Sequence, residues 1–200
     1  MKDILLTILR NEKTKRGEFR QVTDQLSFIL AAEASQYVEK IPVTVKTPIE
    51  ETTGQKLAED IMVVPILRAG LAMLPAFLRI FPHSSVGFFG MRRDEVTKQP
   101  HLYYQNIPPI SPNQNVILID PMIATGGSGE LALKELIRRG ADESKLIYVG
   151  IIGAPEGIKA IETVCPHVKL VVGAVDKCLN KNAFIVPGIG DFGDRYFGTD

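Results

Sequence analysis

The chain has 200 residues, enough for one domain that buries roughly 70% of its unfolded surface without disulfide or metal support. Hydrophobic residues make up 45% and charged residues 23%, with 17 Gly and 13 Pro, which excludes collagen-like, mucin-like and bulk-disordered chains. The 23 Lys and Arg balance the 23 Asp and Glu, which argues against a protein whose main work is coating nucleic acid or an anionic membrane.

The N-terminus becomes charged at Arg10, Glu12, Lys13, Lys15 and Arg16, so it has no apolar core of signal-peptide length. Apolar positions Phe19, Val22, Leu26, Ile29, Leu30, Ala34 and Val38 follow helical spacing and predict a long amphipathic helix over 18–37. Residues 43–47 have strand composition and end at Pro48, and the polar segment 50–56 after them reads as a connection. Short runs rich in Val and Ile follow at 61–67, 86–90, 116–119, 146–152 and 168–174, the pattern of strands buried on both faces. All fall far short of the ~20 residues of a membrane span, and the expected location is the cytoplasm. Helical segments lie between them at 71–80, 129–139 and 155–164, with Gly140 and Pro166 as stop signals. Cys165 and Cys178 lack metal-ligand spacing and are expected to be two buried thiols.

Alternation of strand and helix implies an α/β fold with a mostly parallel sheet and helices on both faces. Ligands in such sheets collect beyond the carboxyl ends of the strands, so the loops there are where chemistry is sought. After 116–119 the sequence reads Asp120-Pro121-Met122-Ile123-Ala124-Thr125-Gly126-Gly127-Ser128 and runs into a helix. Two glycines, two hydroxyls and the free N–H groups of a helix start suit a phosphate, whereas the missing Gly-Lys-Ser lysine speaks against an ATP P-loop. The plainer alternative is a βα turn with Ser128 as N-cap. Asp120 favours the sugar-phosphate reading, because a carboxylate at the sheet end can accept hydrogen bonds from sugar hydroxyls.

Arg68 stands at the end of the 61–67 strand, where a cation at a helix start opposes the helix dipole and invites a bound anion. Arg92 and Arg93 follow the next strand, beside Asp94 and Glu95, which could simply neutralise them. Residues 99–105 read as one strand of a polar hairpin. The last stretch, 184–200, holds four glycines, one proline and four aromatics, resists both helix and strand, and is expected to be an ordered loop whose main-chain groups can read a small flat ligand. The alternative there is a tail docked for stability alone.

Together the segments Val64-Pro65-Ile66-Leu67-Arg68-Ala69-Gly70, Asp120 through Ser128, Ala154-Pro155-Glu156-Gly157 and Gly190-Asp191-Phe192-Gly193-Asp194-Arg195, with Phe197-Gly198-Thr199, resemble the uracil phosphoribosyltransferases, in order and spacing. Asp120 is followed by Pro121 rather than a second acidic residue, a feature of the uracil enzymes. The resemblance implies one phosphoribosyltransferase domain over 1–200, with a hairpin hood near 92–108 and a C-terminal uracil loop over 184–200. It implies the pyrimidine-salvage reaction of uracil with 5-phospho-α-D-ribose 1-diphosphate (PRPP) to give UMP and diphosphate, with Mg²⁺ bound through PRPP and not directly by the protein. Carried over by position, Arg68 and Arg93 contact the diphosphate, and Asp120, Pro121, Met122, Ile123, Ala124, Thr125, Gly126, Gly127 and Ser128 hold ribose and 5′-phosphate. Ile185, Gly190, Asp191 and Phe192 bind uracil, with Asp191 also facing PRPP and standing as the candidate base for uracil N1. A homodimer or homotetramer is implied, with GTP a candidate effector as in some relatives, and with neither nucleic acid nor membrane as partner.

Four departures from the family pattern stand out. The N-terminus lacks a His-Pro-containing segment of many members, which touches any interface contact made there; Ala32-Glu33-Ala34-Ser35 replaces the usual Tyr-Glu-Ala-Thr; Arg92 replaces a frequent Tyr; and Phe192 replaces a frequent Ala. Two other readings share the fold, a PRPP-sensing RNA-binding regulator and a non-catalytic relative. The absence of a basic stripe weighs against the first, and the presence of Arg68, Asp120, Thr125, Gly126 and Asp191 against the second.

Overall fold

The computed structural model describes residues 1–93 and 100–199. The chain begins with helix α1 (Lys2–Arg10), which buries Leu5, Leu6 and Leu9, and turns into α2 (Arg16–Ala34). The second helix is the one its apolar spacing predicts, starting two residues earlier and ending three earlier. It buries Phe19, Val22, Leu26 and Leu30 along one stripe. Strands β1 (Lys40–Lys46) and β2 (Glu51–Leu57) then pair as an antiparallel hairpin separate from the main sheet. The segment expected as a connection is thus a strand. Most of both faces of this hairpin is exposed, so no apolar alternation marks it, and pairing across the turn at 47–50 defines it instead.

The sheet is built on β3 (Met62–Leu67), whose side chains are buried almost throughout. The helix expected over 71–80 is divided into a 3₁₀ turn (Ala69–Ala72) and α3 (Leu74–Ile80), with Pro75 in the first turn of α3, where its missing N–H costs nothing. The strand expected at 86–90 is likewise two, β4 (Ser85–Val86) and β5 (Phe88–Arg93). β6 (Pro100–Asn106) pairs antiparallel with β5, giving the expected hairpin, whose turn lies outside the described residues. β7 (Val116–Ile119), β8 (Met122–Ile123), α4 (Gly127–Arg138), β9 (Leu146–Gly153), α5 (Pro155–Val164) and β10 (Lys169–Val175) complete the α/β body.

The order across the sheet is β10-β9-β7-β3-β5-β6, parallel except for the β5–β6 pair. Alternate side chains of the central strands face opposite layers. Val63, Ile117, Ile119, Ile147 and Val149 pack with α1, α2 and α3, while Met62, Val64, Val116, Leu118 and Tyr148 pack with α4 and α5. This two-sided burial explains the continuous apolar runs. Connections leave β3 toward β5 and leave β7 toward β9, so a crevice opens between the carboxyl ends of β3 and β7.

Beyond β10 come a small hairpin of β11 (Cys178–Leu179) and β12 (Ile185–Val186) and the helix α6 (Phe192–Phe197). The stretch expected to resist regular structure therefore contains a short strand and a helix. Asp191 caps α6 by accepting from the Asp194 amide at 3.0 Å, and Gly198 closes it with a left-handed φ of 75°. Cys165 is buried but Cys178, on the hairpin, is only half-buried, which corrects the expectation of two buried thiols. Among the described residues no helix is long and apolar enough to cross a membrane.

Candidate active site at the ends of β3 and β7

The crevice holds Arg68 on one side and Asp120 on the other. Gly70 brings them together, because a Cβ there would lie 2.6 Å from the Ile119 carbonyl at the end of β7. Arg68 follows a cis peptide after Leu67 and is largely exposed. Its Nη2 lies 3.5 Å from the Thr199 hydroxyl and 4.0 Å from an Asp194 carboxylate oxygen, and its guanidinium stands 5.7 Å from the centre of the Phe197 ring. Two elements far apart in sequence therefore meet at this cation.

Asp120 is placed by the break in β7. Pro121 has no N–H to extend the ladder, and its carbonyl accepts from both Ile151 and Ile152 at 3.0 Å, so pairing with β9 is interrupted at 120–121 and resumes in the same register as β8. The carboxyl group is left buried at the sheet end. Burial pushes its pKa up to about 7, against a weaker opposing effect from the Met122 backbone hydrogen bond.

From β8 the chain enters the glycine loop. Gly126, not Ser128, is the N-cap of α4, with a left-handed φ of 83°, and no side chain caps the helix. A Cβ on Gly126 would lie 2.8 Å from the Gly157 carbonyl, so the loop and the start of α5 interlock only without a side chain at this position. The first-turn amides of α4 border a small cavity of about 50 Å³, walled by Asp120, the loop from Met122 to Ser128, Gly129 and Tyr148.

A larger cavity of about 310 Å³ adjoins it, lined by Arg68, Ala69, Asp120, Met122, Ala124, Ala183, Phe184, Ile185 and Gly190 to Gly193. Of the residues read from sequence, Arg68, Asp120, Met122, Ala124, Ile185, Gly190, Asp191 and Phe192 thus meet at one space. Phe192 has a second task, since it is buried with its ring centre 5.4 Å from Phe19 and 5.8 Å from Tyr196. Pro121 ties the segment between β7 and β8 to β9 through its carbonyl. Arg92 borders a third cavity of about 510 Å³ together with Leu67, Arg68, Met91 and Tyr103. Arg93 ends β5, and its side chain lies outside the described residues, as do 94–99 of the hood.

Sequence reasoning missed the residues that hold the base-side wall. Arg195 donates to the carbonyls of Leu9 at 2.5 Å, Ile189 at 2.7 Å and Asn11 at 2.7 Å, tying α6 to the end of α1. Asp176 stands just beyond β10, where the strand-end rule could have flagged it, and pairs with Arg10. No sequence signal singles out Arg10.

The family model described as uracil phosphoribosyltransferase matches residues 2–199. This chain belongs to the uracil phosphoribosyltransferase family. A Salinibacter ruber member named uracil phosphoribosyltransferase is 44% identical over 194 residues, covering 97% of this chain and 91% of the relative. A member from Ligilactobacillus salivarius with the same name is 42% identical over 195 residues, covering 97% and 92%. The solved AQ2163 protein of Aquifex aeolicus superposes with a TM-score of 0.90 at 36% identity, covering 100% of this chain and 95% of that one. A hypoxanthine phosphoribosyltransferase from Staphylococcus aureus shares the fold alone, with a TM-score of 0.51 at 13% identity over 79% of this chain and 75% of that one. Family membership favours the enzyme over the RNA-binding and non-catalytic alternatives.

Proposed function

We propose that this chain joins uracil to PRPP, forming the N1–C1′ bond of UMP as the C1′–O bond to diphosphate breaks and the N1 proton leaves. The observation that carries this reading is the 310 Å³ cavity in which Arg68, Asp120 and the 190–193 segment face one another, with the glycine cradle adjoining. In it the base lies against main-chain groups of Ile185 and Gly190 to Phe192, Asp120 accepts from the ribose hydroxyls, and the α4 amides hold the 5′-phosphate. Bond breaking builds positive charge on ribose and negative charge on diphosphate. Arg68, with Arg92 or Arg93 from β5, stabilises what grows on the leaving group. Asp191 is the candidate acceptor of the N1 proton, acting late, because protonated N1 is a weak nucleophile.

Mg²⁺ fits this site as a companion of PRPP. Among the described residues no group of three or more His, Cys, Asp or Glu is placed to cage a metal, while Mg²⁺ commonly needs only one or two protein carboxylates beside substrate phosphates. Asp120 and Asp191, both at the cavity, are the carboxylates that would face it. When bound it neutralises diphosphate charge.

A dimer or tetramer is part of the proposal. Ile41, Val45, Ile49 and Leu57 are exposed on the separate β1–β2 hairpin, and a two-stranded hairpin is only marginally stable uncovered. A cytoplasmic location and GTP as effector are carried from the family likeness. The direct test is conversion of uracil to UMP with PRPP and Mg²⁺, with and without GTP; UMP formation abolished by chelation supports the reading, and unconverted uracil refutes it.

A further inference from the structure

We propose that the hydroxyl of Tyr148 is a ligand of the anion in the glycine cradle, a donor supplied from the sheet to complement the amides of α4. This rests on the reading of that cradle as the 5′-phosphate site. Tyr148 lies on β9, is 1% exposed, and is part of the wall of the small cavity together with Asp120 and the loop residues Thr125 to Gly129. A buried phenol ordinarily finds a hydrogen-bond partner. Among the described residues the Tyr148 hydroxyl has none.

The first turn of α4 is shaped around this side chain. A Cβ at Gly129 would lie 2.8 Å from the Tyr148 hydroxyl oxygen and would press on the ring as well, so the phenol fits beneath the helix start only because that position carries no side chain. The group is a donor under all ordinary conditions. Burial first, and the Asp120 charge second, raise its pKa well above the usual value for tyrosine, so it keeps its proton. A phosphate placed against a wall that includes Asp120 gains from a neutral O–H donor beside the amides.

Tyr148→Phe removes only the oxygen. In calorimetric titrations of the full chain, the expected result is UMP binding about tenfold weaker than wild type, diphosphate binding unchanged and an unchanged melting temperature. UMP binding equal to wild type would overturn the proposal and leave the hydroxyl to water, and equal losses for UMP and diphosphate would overturn it as general damage. Failure of the wild-type chain to bind UMP at all would instead remove the cradle reading on which the proposal stands. The chain has five Tyr and no Trp, so ribose 5-phosphate, which is transparent in the near ultraviolet, offers a second readout. A tyrosine difference band on its addition to wild type and its loss in Tyr148→Phe are expected; the same band in both proteins would contradict the contact.

Discussion

Arg10 grips Asp176 with two hydrogen bonds, of 2.6 and 2.8 Å, and both residues hold Gly188: the guanidinium donates to its carbonyl at 3.0 Å, and its amide donates to the carboxylate at 2.8 Å. The first helix, the end of β10 and the segment leading to the uracil loop are thus joined at one polar knot. Burial alone would raise the Asp176 pKa, but the hydrogen bonds from Arg10 and the Gly188 amide hold it below its ordinary range. The Asp176 side chain is only 5% exposed, so removing its cation leaves a buried carboxylate without its partner. Arg10→Ala is expected to cost about 3 kcal/mol of stability. It should also raise the KM for uracil more than that for PRPP. Denaturant unfolding and steady-state kinetics check the two effects separately.

Arg68 is held only loosely by the C-terminal segment, at 3.5 Å from Thr199 and 4.0 Å from Asp194. An exposed pair of this kind adds little stability and is readily exchanged for a stronger anion. Arg68→Gln should therefore leave the melting temperature within a degree or so while lowering kcat/KM by about 10²- to 10³-fold, the range for removing one donor from a developing charge. A matching loss of stability would mean that its role is structural.

Asp120 gives the site a pH signature. Its pKa of about 7 in the folded chain lies above the ordinary value near ~3.9, so the native state keeps a proton that the unfolded state has lost. The associated stability is fully present below about pH 4 and is lost as pH rises through about 7, by up to about 4 kcal/mol. Asp120→Asn should therefore unfold at higher denaturant than wild type at pH 8, with the advantage fading toward pH 4. The same substitution should weaken PRPP binding at pH 8, where the ionised carboxylate would accept from the ribose. Parallel stability curves for the two proteins between pH 4 and 8 would count against this account.

Asp191 has two assignments that substitution separates. As N-cap of α6 it is replaceable by Asn, whereas Ala should cost about 1 kcal/mol. As proton acceptor it is replaceable by neither. Asp191→Asn should keep wild-type stability and lose most of kcat, and a wild-type kcat would exclude it as the base.

Much of this site was legible because its parts sit where strands stop. Arg68 and Asp120 each end a buried apolar run, and that position alone sends them to the crevice. The hairpin strand β2 was hidden because most of its surface faces outward, so its Thr and Glu residues carry no burial signal. The capping helix α6 was hidden for another reason. Its six residues contain Gly193 and are followed by Gly198, a composition that reads as loop, and the Asp191 cap and burial of Phe192 against Phe19 of distant α2 decide the conformation. Tyr148 looked like one more apolar strand residue, since nothing in the sequence tells which face meets Gly129. The knot of Arg10 and Asp176 joins positions 166 residues apart, a pairing that local patterns cannot report.

The decisive measurement is diphosphate release from PRPP and Mg²⁺ with uracil, cytosine, hypoxanthine or no base. Release is expected with uracil only, because the proposed base site is a wall of fixed main-chain groups at Ile185 and Gly190 to Phe192. Release with hypoxanthine or cytosine at a similar rate, or no release with any base, would contradict the proposed function.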